Sequence, residues 1–405
     1  MASRVSKAVS LTVALLALAA GALSAAPASP QVVVLEAKAA SVEARAALDR
    51  LLFDYDLVEL PLATLARRTG AGRLDLVLRG QRFELDLVRN DLRADGFRAV
   101  VMSDVGPVEA KLGPVTTYRG TVRGEEASVV RLTADRAVFT GFVKTGADWW
   151  FVDPLTEYLP GAAKNLAVVY RESDVRPEAA GLCGVEHWMR IGGEKPGFPT
   201  ITPKGHTTLR TLQVATEADG QYYQAYGNPG LFTRIQGILN NVDGIYENQI
   251  NLSISITYQQ AWTNPSTDPY TSLDAVTTLN QFRNWWNANR GGTTRDTAHQ
   301  WSGKDFNGGT VGIAWVGVIC NAPSYSYGVS QDLSSSFLRT QLTAHEIGHN
   351  LDAEHDNQIG CSGVSCSGSG PIMCSSLQSN GSNSFSSCSV SAINTHTHNN
   401  GSCLN

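Results

Sequence analysis

Between residues 31 and 180 apolar and polar side chains alternate over short runs. Leu74-Asp75-Leu76-Val77-Leu78 and Phe83-Glu84-Leu85-Asp86-Leu87-Val88 have period two. Thr121-Val122-Arg123 and Ser128-Val129-Val130-Arg131-Leu132 continue it, with Gly-containing turns between, and Trp149 to Pro154 closes it. Period two places successive side chains on opposite faces of a strand, so this part reads as a mostly β domain. In residues 186–206 Gly and Pro concentrate and apolar periodicity fades, which marks a linker. From residue 207 strands and helices alternate. Thr211–Ala215 and Leu252–Tyr258 read as strands. Phe232–Glu247 repeats apolar residues at helical spacing through Ile235, Ile238, Leu239, Val242 and Ile245. Leu273–Ala288 and Phe337–Leu351 are helical, and Val311–Ile319 is β-rich. That order predicts an α/β domain with a mixed sheet and packed helices.

Composition sets the compartment. Charged residues make up 17% of the chain and the net charge is -5, so no nucleic-acid footprint is present. Arg4 and Lys7 precede an apolar run, Ala8–Ala20, that is too short to span a bilayer, and small residues follow from Gly21 to Ala28. Residues 1–28 are therefore expected to be a signal peptide, and the product a secreted monomer with no membrane attachment after signal removal. Export favours disulfides among the cysteines. Cys320, Cys361, Cys366, Cys374, Cys388 and Cys403 lie in the C-terminal half, and their pairing is open from sequence alone. Cys183 stands apart, far upstream.

The chemistry concentrates in Thr343-Ala344-His345-Glu346-Ile347-Gly348-His349-Asn350-Leu351-Asp352-Ala353-Glu354-His355-Asp356. His345 and His349 are four residues apart, which stacks them on one helical face. Two neutral imidazoles so placed can hold one Zn²⁺. Glu346, beside the first, can take a proton from water at that metal. His355 lies beyond helical register and reaches the same ion only if the helix stops and the chain turns back. With Cys183 as fourth ligand the same set describes a closed structural zinc site in a secreted, non-catalytic binding protein. Glu346 favours hydrolysis, because a structural shell needs no carboxylate beside its ligand.

The HExxHxxDxxH run, with Met373 eighteen residues after His355 in Pro371-Ile372-Met373-Cys374, resembles the metzincin zinc proteases. Asp356 narrows the likeness to the adamalysin, or reprolysin, type. The resemblance implies a zinc endopeptidase domain over residues 207–405, with His345, His349 and His355 as ligands, Glu346 as catalytic base and Met373 in a Met-turn. It implies a prodomain over residues 29–185 that ends in a cysteine switch at Cys183, in Leu182-Cys183-Gly184-Val185. An activating protease would then cut within residues 186–206. It pairs Cys320 with Cys403, Cys361 with Cys388 and Cys366 with Cys374. It suggests protein or peptide substrates bound along an edge strand, Val311–Gly317, by backbone pairing. It also offers a calcium site at Asp296, the Cys403 carbonyl and Asn405, weakened because Gln213 stands where such a site has Glu. One residue departs from the family pattern. Asp352 occupies a position that is usually Gly, and is expected in the left-handed region at a cost of about 1 kcal/mol.

Overall fold

The computed structural model describes residues 32–146, 148–176, 179–186, 189–191, 208–357, 364–366, 370–378 and 381–405. The expected signal peptide, Cys361 and most of the linker lie outside the described residues.

The alternating runs form an antiparallel meander. Its strands are Arg73–Leu78, Gln81–Arg89, Thr117–Val122, Glu125–Ala134, Phe139–Thr145, Asp148–Pro154 and Leu166–Arg171, within a sheet of ten strands among the described residues. Period two sorts the side chains. Val130, Val143, Val152 and Val169 join one apolar cluster, while their neighbours Val129, Phe142, Phe151 and Val168 join another. The first is the meander's own core with Leu74, Leu76, Phe83 and Leu85. The second is shared with the helix Gly230–Ile250.

A second sheet has nine strands among the described residues. Across it run Ser376–Gln378, Ala179–Cys183, Thr310–Ala314, Tyr327–Gln331, Thr297–Ser302, Arg210–Ala218, Leu252–Trp262, Arg93–Ser103 and Gly106–Glu109. It is mixed, as expected. The upstream and C-terminal parts share this sheet. Arg93–Ser103 leaves the meander and pairs in parallel with Leu252–Trp262 of the C-terminal part. Val32–Asn405 is accordingly one compact unit. An apolar run, Ala99-Val100-Val101, is buried by this crossing, and the main chain of Leu252–Trp262 gains a second partner beside Arg210–Ala218.

The helix Gly230–Ile250 lies between the layers, and Leu231, Phe232, Ile235, Leu239, Val242, Ile245 and Tyr246 are all buried. Polar contacts cross the same seam. Arg131 of the meander pairs with Asp243 at 3.0 Å, both buried, and Asn90 donates to Asn240 at 2.8 Å. Buried charge in this arrangement demands its partner, so the two layers are held in one register. The Ser- and Asn-rich tail carries the helix Ser387–Asn400, started by Ser386, whose side chain accepts from the Ser389 amide.

Candidate metal centre

The helix Ser336–Asn350 positions the histidines. Ser335 caps it by accepting from the Leu338 amide at 3.1 Å. The carboxylate of Asp153, from the meander, accepts from the Ser336 amide at 3.1 Å, at the end where the helix dipole favours negative charge. Every residue from Ser336 to Asn350 is buried. The helix closes with two reverse bonds, Asp352 N to His349 O at 2.9 Å and Ala353 N to Gly348 O at 3.0 Å. This is a Schellman ending. Asp352 sits in it with φ +74°, so the sequence reading of a left-handed residue here agrees with the structure. The turn brings His355 back towards the helix.

Three imidazoles converge. His349 Nε2 lies 2.9 Å from His345 Nε2 and 3.2 Å from His355 Nε2. On their outer sides His345 Nδ1 donates to the Ile372 carbonyl at 2.6 Å and His349 Nδ1 to the Ala353 carbonyl at 2.7 Å. A carbonyl only accepts, so each Nδ1 carries the proton and each Nε2 turns a lone pair inward. Burial, with the neighbouring imidazoles, pushes His345 down to about 3 and His349 well below the usual range. Both rings are thus neutral, the form that coordinates metal. Inward lone pairs at these separations repel unless a cation lies between them. A tetrahedral zinc with bonds of about 2.1 Å holds nitrogen ligands roughly 3.4 Å apart, so the donor set fits that ion.

Cys183 completes the group. Its Sγ is 3.5 Å from His349 Nε2, and the four ligand atoms of Cys183, His345, His349 and His355 all lie within 4.8 Å of one another. The thiol is also 3.8 Å from Glu346 Oε2. Burial, and then the Glu346 charge, push the thiol well above its usual value. Glu346 itself is fully buried, burial raises its carboxyl well above the carboxylate range, and Oε1 has no hydrogen-bond partner among the described residues. Gly312 makes room for it: a Cβ there would stand 2.3 Å from Oε1.

The strand Ala179–Cys183 carries the thiol in. It runs parallel to Thr310–Ala314 on one side and antiparallel to Ser376–Gln378 on the other. Thr310–Ala314 pairs on its far side with Tyr327–Gln331. The strand named from sequence as a substrate edge is therefore covered by the chain's own upstream segment. It also stops at Ala314, three residues short of the expected Gly317.

Met373 is buried, with Sδ packed against Gly348 of the histidine helix. Its carbonyl accepts from the Asp356 amide at 2.8 Å. Asp356 Oδ1 in turn accepts from Ser386 at 2.5 Å and Ser389 at 2.8 Å. Asp356 thus ties the third histidine to the Met373 turn and to the last helix. Cys320 is bonded to Cys403, and Cys366 to Cys374. Cys388 is disulfide-bonded too, and Cys361, its expected partner, lies outside the described residues.

The expected calcium ligands stand in a different setting. Asp296 accepts from the Gln213 amide at 2.7 Å, and Asn405 exchanges backbone bonds with Thr211. The Arg210 guanidinium donates to the carbonyls of Thr397 and Leu404 at 3.1 Å each, and to that of Gly401. A fixed cation of the chain thus lies beside these candidate ligands.

Sequence reasoning missed the two carbonyls that fix the imidazoles, and the contact of Arg190 with Asp352 and Glu354. The one signal pointing to Arg190 was the acidic residue in a glycine position. Residues 208–397 match the family model Reprolysin_5, metallo-peptidase family M12.

Proposed function

Through residues 208–397 the chain is a reprolysin-type member of metallo-peptidase family M12, and from that premise we propose that it is a secreted zinc endopeptidase made as a latent precursor. The carrying observation is the convergence of three inward Nε2 atoms with Glu346 beside them and Cys183 above. His345, His349 and His355 would hold the zinc. When bound, zinc supplies Lewis acidity and lowers the pKa of water towards about 7. Glu346 takes a proton from the attacking water and returns it to the leaving amine. Its Oε1, unpaired among the described residues, has a lone pair free to accept that proton. The Ile372 and Ala353 carbonyls keep the imidazoles oriented. Residues 29–185 act as the inhibitory pro-segment, 186–206 as the processing region and 207–405 as the protease. Substrate main chain takes the place of Ala179–Cys183 along Thr310–Ala314.

The closed His₃Cys shell also suits a zinc-stabilised binding protein that never loses its pro-segment. One experiment separates the readings: casein digestion by the processed protein, with and without a chelator, beside Glu346→Gln. We expect digestion that the chelator abolishes and that Glu346→Gln lowers by at least a hundredfold. Digestion surviving both changes overturns the peptidase reading, and no digestion with retained zinc favours the second.

A further inference from the structure

The upstream segment does not end its contact at Cys183. It follows the neighbouring chain onward: Gly184 N donates to the Gly312 carbonyl at 2.8 Å, and Val316 N donates to the Met189 carbonyl at 3.2 Å. Arg190 forms a parallel bridge with Val316. Its side chain, 8% exposed, reaches the turn that joins the second and third histidines. Nε donates to Glu354 Oε1 at 2.8 Å, and a terminal nitrogen lies 2.7 Å from the same oxygen. The other terminal nitrogen pairs with Asp352 Oδ1. Gly317, at φ +70°, gives this seat its width, because a Cβ there would lie 2.6 Å from Asp352 Oδ1.

Two carboxylates on one guanidinium leave a net negative seat. Asp352 is held at the helix end by its backbone bonds, and Glu354 directly precedes His355, so both are fixed relative to the metal ligands. The seat also adjoins Val316, two residues past the strand along which the proposed substrate pairs.

We propose that Asp352 and Glu354 form a guanidinium-accepting subsite, filled by Arg190 in the precursor and by an arginine of the substrate after processing. This rests on the peptidase reading above. The fork geometry selects arginine over lysine, because an ammonium cannot span both carboxylates with the same set of donors. The acidic residue in the glycine position then has a purpose: it makes one arm of the seat.

The test uses the activated secreted protein carrying Glu346→Gln, so that binding is read without cleavage. The probe is a synthetic peptide of residues 181–191, compared with the same peptide bearing Gln in place of Arg190. We expect the Gln peptide to bind about tenfold more weakly. With Glu354→Gln added to the protein, the two peptides should bind within about twofold, which isolates the ion pair as a coupling. Equal affinities on the first protein overturn the subsite. The active protein is then given a peptide library, and arginine is expected at one fixed distance from the cut bond. Coupling without that enrichment confines the seat to the pro-segment and overturns the substrate role. Casein digestion reads peptidase activity without reference to arginine selectivity, so its failure is distinct from failure of the subsite.

Discussion

Gly312 is where one side chain decides the chemistry. Gly312→Ala puts a methyl group 2.3 Å from Glu346 Oε1, so the carboxyl must move. Activity is expected to fall at least a hundredfold while zinc content, measured by atomic absorption, stays near one per chain. Cys183→Ala removes the sulfur 3.5 Å from His349 and is expected to speed activation of the secreted precursor severalfold. An unchanged activation time course would remove the latch from the account. The grouping of the three histidines beside Glu346 was legible from their spacing, and the left-handed Asp352 from its departure from the family pattern. Arg190 was not, since its two carboxylates are remote in sequence and meet it only after the upstream segment has laid itself along Val316.

Helices and strands that bury a regular stripe were read to within a few residues. Phe232–Glu247 became Gly230–Ile250, and Phe337–Leu351 became Ser336–Asn350. Short elements escaped. Ala179–Cys183 has five residues and exists only by pairing with two distant strands. Ser387–Asn400 is poor in strong helix formers and is held by its cap and by buried Ala392 and Ile393. Packing between elements was equally hidden. The helix Gly230–Ile250 meets the meander at Gly244, where a Cβ would come 2.8 Å from Arg131 and 3.1 Å from Phe142. Gly244→Val is expected to destabilise the precursor by about 1–3 kcal/mol despite the gain in helix propensity, read as a lower midpoint in urea.

Across the molecule, acidity and connectivity both bear on how firmly the upstream and C-terminal parts hold together. Burial pushes Glu172 up to about 7 from 4.5, while its Oε1 accepts from the Asn383 amide at 2.8 Å, joining the meander to the C-terminal tail. Burial likewise raises Glu217 to about 7 and Asp296 to about 6. A carboxyl whose folded value is raised contributes stability that is full below its unfolded value and is lost as pH climbs through the folded one. The precursor should therefore melt at lower temperature at pH 8 than at pH 5. Glu172→Gln keeps the acceptor and should flatten that slope; parallel melting curves for the two proteins would count against the assignment. The crossing strand Arg93–Ser103 has its own consequence. A nick in the linker severs the covalent thread, yet the main-chain ladder to Leu252–Trp262 stays laced. On the proposed processing, cutting and letting go become two separate events, and the second would set the delay. Once the cut is complete on a gel, activity should still emerge after a delay that extra activating protease does not shorten.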